Sequence, residues 1–121
     1  MEHSHIACAF LTHARAGDVA TARALVTATA RHHNMYFPAG MDGLIDAIAD
    51  ASRAFPASTF TIKRIVADAD MVVIHSHVTH TVDDLGMSVV HMFRFEQGLI
   101  AELWDIGQVI SPDCPNSDGL F

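Results

Sequence analysis

A chain of 121 residues, half of them apolar and only 17% charged, has the size of one domain and enough side chain to bury a single core. Its formal net charge of -7, with seven lysines and arginines scattered along its length, leaves no basic stripe for nucleic acid, which is not an expected partner. The apolar run from Ile6 to Leu11 is too short to span a bilayer and lacks the basic flank of a secretory signal, so no membrane partner is expected and the chain reads as cytoplasmic.

The first third is helical in pattern. Ser4 is placed to cap a helix carrying Ile6, Phe10 and His13 at helical spacing, and Gly17 supplies its stop. Asp18 then caps a second helix, whose stripe is Val19, Ala22, Leu25, Val26 and Ala30. Asn34, Pro38 and Gly40 break the stretch from His32 to Gly40, which reads as a short strand or loop crossing a pocket mouth. A third helix follows, capped by Asp42, with Leu44, Ile45, Ile48 and Ala51 as its buried stripe and Phe55-Pro56 as its end.

From Ser58 the period changes to two, and β-branched and aromatic residues predict strands over 58–67, 71–80, 86–96 and 99–109. The links between them are too short for parallel crossovers, so the four form an antiparallel meander. Helices followed by such a meander make an α+β domain over residues 1–121, with helices packed on one face of a curved antiparallel sheet and an irregular tail from about 111.

Alternation decides which side chains meet. In the third of these strands Met87, Val89, His91, Phe93 and Phe95 share a face, and Arg94 and Glu96 lie on the other, so the first set is assigned to the concave side. His75 and His77 are assigned to the same side, with Met71, Val73 and Thr79. Asp105 sits in the apolar run Leu103-Trp104-Asp105-Ile106, where an ionised carboxylate needs donors nearby. The opposite set, Val72, Ile74, Val78, Val90 and Met92, is then a large outward apolar patch, from which a homodimer through the outer sheet face follows. Of the nine histidines, His3, His5, His13, His32 and His80 read as surface or terminal residues. Cys8 and Cys114 lie near opposite ends without Cys-x-x-Cys spacing and read as free thiols of a reducing compartment.

The stretch from Gly86 to Gln108, with Phe93-Arg94-Phe95-Glu96-Gln97-Gly98-Leu99-Ile100 leading into Trp104-Asp105, resembles the last two strands of SnoaL-like proteins. His33-Asn34 is similar to the family's short element after the second helix, and Val73-Ile74-His75-Ser76-His77-Val78 resembles its middle strand. The resemblance spans roughly residues 18 to 121. It implies the cone-shaped nuclear-transport-factor-2-like fold, whose sheet encloses a pocket. In the family's polyketide cyclases an aspartate of the last strand is acid and base in an intramolecular aldol condensation, and Asp105 matches that position. The chain departs from the family in carrying His91 where relatives often have an acid, and Met35-Tyr36 where a proline is usual.

The expected chemistry is proton removal next to a carbonyl, leading to enolisation, aldol-type cyclisation or isomerisation. Asp105 is the base, because withdrawal from water strengthens a carboxylate's hold on a proton. His75, His77 and His91 are the catalytic N–H donors to the developing enolate oxygen. His33, Trp104, Phe93 and Val89 are the substrate-binding walls, Trp104 equally explicable as a core or interface aromatic. The expected partner is a small apolar carbonyl-containing molecule, with no cofactor and no resident metal. Two alternatives stand beside this: a non-catalytic small-ligand-binding module with the same pocket, and a cupin-like metal enzyme using His75-Ser76-His77 with His91 or Asp105. The second lacks the downstream glutamate, for which Asp83 and Asp84 are poor substitutes. Gly-rich phosphate-binding and nucleophile-elbow motifs are absent from the sequence.

Overall fold

The computed structural model of the protein describes residues 2–121; Met1, included in the domain expected over 1–121, lies outside the described residues. Helix α1 (His3–Arg15) forms because Ile6, Ala7, Phe10, Leu11 and Ala14 fall on one stripe, all of them buried. Ser4 lies within the helix, and Glu2 holds the N-cap position without a side-chain bond. The stop is as the sequence predicts. Gly17, at φ 83°, donates its N–H to the Ala14 carbonyl at 3.1 Å, and the Asp18 N–H reaches the His13 carbonyl at 2.9 Å, closing a Schellman turn. Asp18 in turn accepts the Thr21 N–H at 3.3 Å and caps α2 (Val19–Ala24).

The predicted second helix is cut short. Residues Val26–His33 form strand β1 instead, with Ala30 and His32 buried in alternation. Val26, Thr27 and Thr29 are β-branched and lose side-chain freedom in a helix, and the last strand offers them a pairing edge. Helix α3 (Met41–Ala54) follows, burying Met41, Leu44, Ile45 and Ala49, with Gly40 at its N-cap and Asp42 in its first turn accepting the Arg23 Nε–H at 2.6 Å.

The meander then runs through β2 (Thr59–Asp68), β3 (Met71–Thr79), β4 (Met87–Glu96) and β5 (Leu99–Val109), each end within one residue of its predicted place. The five strands lie in the order β1-β5-β4-β3-β2. Neighbours β2 to β5 are antiparallel, but β1 runs parallel to β5, so the sheet is mixed and open where a wholly antiparallel one was expected. The whole of α3 and the meander separate β1 from β5 in sequence, and that is ample chain for a parallel pairing. The core fills the space between the helices and one face of the sheet, where Phe10 meets Phe93 edge to face at 6.1 Å. No helix among the described residues is long and apolar enough to cross a membrane.

Candidate functional site

The inner face of β4 carries Val89, His91, Phe93 and Phe95, all buried, as the alternation predicts. Phe93 and Phe95 belong to the close-packed core. Towards the start of β4 the packing ends, and Val89 and His91 instead line a cavity of about 220 Å³. Its roof is made by Leu11 and Arg15 of α1 and by Ile48 and Ala51 of α3. Its floor includes Val78, Met87, Asp105 and Gly107, and Tyr36 and His80 reach it from the loops.

Asp105 and His91 are cross-strand partners, and so project from the same face. The His91 Nε2 lies 3.4 Å from the Asp105 Oδ1, and both side chains are largely withdrawn from water. The other carboxylate oxygen, Oδ2, accepts a hydrogen bond from the Asn34 Nδ2 at 2.8 Å, so Asn34 ties the carboxylate down with the His91 ring beside it. Burial lowers the proton affinity of His91 from its usual value more than the neighbouring Asp105 raises it, which keeps the imidazole neutral. Its Nδ1 is buried and bonds to no protein atom. Across the cavity, the Arg15 Nη2 donates to the Ser58 Oγ at 3.2 Å, and the guanidinium stands 5.1 Å from the ring centre of Phe60. Burial draws the Arg15 pKa down from its usual value, although guanidinium remains a cation in proteins.

Several sequence assignments are corrected by the strand phase. His75 and His77 do not join His91 and Asp105. Ile74 is the residue opposite His91, and His75 faces the other way, opposite Val90. There His75 bonds to Arg64 and, at 2.7 Å, to the Ser88 Oγ, and His77 meets the Leu85 carbonyl at 2.8 Å. The tail residue Phe121 lies over both rings, at 5.4 and 4.7 Å. Val72 and Ile74, expected outside, are fully buried in the core. The reason is apolar area: burying Val and Ile gains on the order of 1.5–3 kcal/mol each, whereas burying imidazoles costs hydrogen bonds to water.

The same phase error applies to His33 and Trp104. They are register partners on the outer face, stacked at 5.2 Å, with the His33 Nε2 2.6 Å from Glu102. His33 and Arg94 hydrogen bonds, with Arg31 nearby, hold the Glu102 carboxyl below its ordinary range. Phe93 supports the site from the core without lining the cavity, and Val89 does line it. The sheet therefore separates the two halves of the ligand set that the cupin-like alternative needs, and among the described residues no three His, Cys, Asp or Glu side chains converge on one point.

Three residues of the site escaped the sequence reading. Asn34 was visible as half of His33-Asn34, and only one of two successive strand residues can face inward. Gly107 sits in mid-strand, a position that signals close approach; a Cβ there would come within 2.8 Å of the Met87 methyl. Arg15 carried no local signal, since its role depends on how α1 crosses the sheet.

A SnoaL-like domain model matches residues 7–103, stopping two positions short of Asp105. No curated protein matches the chain. Solved structures share the fold. A cystatin-fold protein from Novosphingobium aromaticivorans is 23% identical, with a TM-score of 0.71 over 88% of this chain and 98% of that one. IdmH from Streptomyces antibioticus, a candidate polyketide cyclase, is 24% identical, with a TM-score of 0.69 over 89% and 93%. AclR from Streptomyces galilaeus, a candidate hydroxylase, is 17% identical, with a TM-score of 0.70 over 88% and 78%. The fold thus serves proteins assigned to different chemistries, and structural likeness at these identities speaks for architecture alone. With the family model covering most of its length, the chain belongs to the SnoaL-like domain family.

Proposed function

We propose that the cavity is the active site of an enzyme that removes a proton from a carbon next to a carbonyl, with Asp105 as the base. The observation that carries this reading is a single carboxylate, tied by Asn34 and set beside His91, on the wall of an otherwise largely apolar cavity. A carboxylate fixed in this way has lone pairs to spare and needs no reorganisation before it acts. In the step, the C–H bond breaks, the proton passes to an oxygen of Asp105, and the electron pair moves onto the carbonyl oxygen as an enolate. Return of the proton at another carbon is an isomerisation; attack of the enolate carbon on a second carbonyl is an aldol closure. The second outcome is a ring closure, and IdmH, of the same fold, is called a candidate polyketide cyclase. Neutral His91 beside Asp105 can share the proton between the two halves of the reaction.

A second copy of the chain is the partner this reading expects, seated on the outer face of β4 and β5, where Val90, Met92, Trp104 and Ile106 leave an apolar patch.

The test uses β-benzoylpropionate, whose methylene next to the ketone exchanges hydrogen for deuterium on enolisation, followed by proton NMR in deuterated water. Wild-type protein should accelerate the exchange, and Asp105→Asn should reduce that acceleration by about 100-fold or more, the usual scale of general-base catalysis. Near wild-type exchange by a folded Asp105→Asn variant would remove Asp105 from the chemistry and leave the cavity as a ligand-holding module.

A further inference from the structure

Arg15 is the cationic cavity side chain that the acid–base reading leaves unused. Its place in the last turn of α1 accounts for a cation there, because the helix dipole favours one, but not for its reach towards Ser58 and Phe60 at the cavity wall. Among the described lysines and arginines, Arg23, Arg31, Arg53 and Arg94 each meet a carboxylate. Lys63 and Arg64 are exposed on β2. Arg15 is part of no ion pair among the described residues, and it is the one of the seven that lines this cavity. A guanidinium has five donors in a planar fork matched to a carboxylate, and here one bond, to a hydroxyl, is made. A cation partly removed from water without a counter-charge is costly, and a bound anion would offset that cost.

We propose that the ligand of this cavity is a small carbonyl compound bearing a carboxylate, with the carboxylate docked on Arg15 and the carbonyl end turned to Asp105. This rests on the acid–base reading for the carbonyl end only; the anionic end stands on Arg15. The cavity's own charges orient such a molecule, since Asp105 repels a carboxylate that Arg15 attracts. Leu11, Ile48 and Val78 give the same cavity apolar wall. At about 220 Å³ the space is below the roughly 300–1,000 Å³ of sites for drug-sized ligands, which favours a short oxo acid over a fused polycyclic ketone.

Binding to wild-type protein is compared by NMR titration for γ-phenylbutyrate, which has the carboxylate and no ketone, and for its primary amide, which matches it in size without the charge. The acid should bind at least roughly tenfold more tightly than the amide, the scale of one charge-assisted contact. Arg15→Gln should erase that preference, and Arg15→Lys should keep part of it. Equal binding of acid and amide to wild type, no saturable binding of the acid at millimolar concentration, or a preference that survives in Arg15→Gln would each overturn the proposal. Because γ-phenylbutyrate cannot enolise, these outcomes are independent of the exchange assay. Loss of the preference with Asp105-dependent exchange intact would sink the anion assignment alone, and the reverse result would sink the acid–base reading alone.

Discussion

Burial sets the charge state of His91, and that state is open to measurement. The unfolded chain takes up a proton on this imidazole near its ordinary value of 6.5, but the folded protein does so only at lower pH, because desolvation outweighs the attraction of Asp105. Between those two values the unfolded state binds more protons, so stability falls as the pH drops. The contribution is fully present above pH 6.5 and is lost as the pH falls through the lowered value. His91→Gln removes the titrating group. Its urea midpoint should therefore depend less on pH than that of the wild type just below pH 6.5, and identical slopes in the two proteins would show that His91 is not the group responsible. Asn34, just past the end of β1, and His91, on β4, both meet Asp105 on β5, because the pairing of β5 with the strand on either side turns all three the same way.

Among the elements, the junction of β3 and β4 carries the tightest backbone approach. Gly86, at φ 83°, lies so near the end of β3 that a Cβ would stand 2.1 Å from the Val78 carbonyl oxygen and 2.9 Å from the His77 Nε2. The first contact is with backbone and cannot be relieved by a side-chain rotation. Gly86→Ala should lower stability by about 3 kcal/mol, combining left-handed strain with overpacking. A urea midpoint close to wild type would show that the link shifts freely. Residues Gln97 and Gly98, with φ of 51° and 80°, make a two-residue hairpin between β4 and β5, whose pairing brings His91 opposite Asp105. This hairpin was legible in the sequence, as was the phase of β4, because Phe93 and Phe95 against Arg94 and Glu96 leave no ambiguity. The phase of β3 runs against its histidines, because its more apolar set, Val72, Ile74 and Val78, takes the core side.

At the scale of the whole molecule, the two faces of the sheet have separate fates. The helices cover one. On the other, the C-terminal Phe121 shields His75 and His77, whereas Ile106 remains 55% exposed beside half-buried Val90, Met92 and Trp104. The proposed second copy would cover this area, and a homodimer interface is usually rich in such apolar and aromatic residues. Sedimentation should give a dimer for the wild type, and Ile106→Lys should give a folded monomer. A wild-type chain that stays monomeric at micromolar concentration would refute the dimer.

Local pattern alone determined the helix stop at Gly17, the cap at Asp18, the ends of the four meander strands and the inward direction of His91, since each depends on residues within a few positions of one another. Tertiary structure decided the rest. Whether Val26–His33 is helix or strand depended on the free edge of β5, and which of His33 and Asn34 reached Asp105 followed from that pairing. Arg15 came to the cavity wall because α1 crosses the sheet above β2. These outcomes are set by competition for buried apolar area and for open strand edges between segments far apart in the chain, and no short window of sequence contains both competitors.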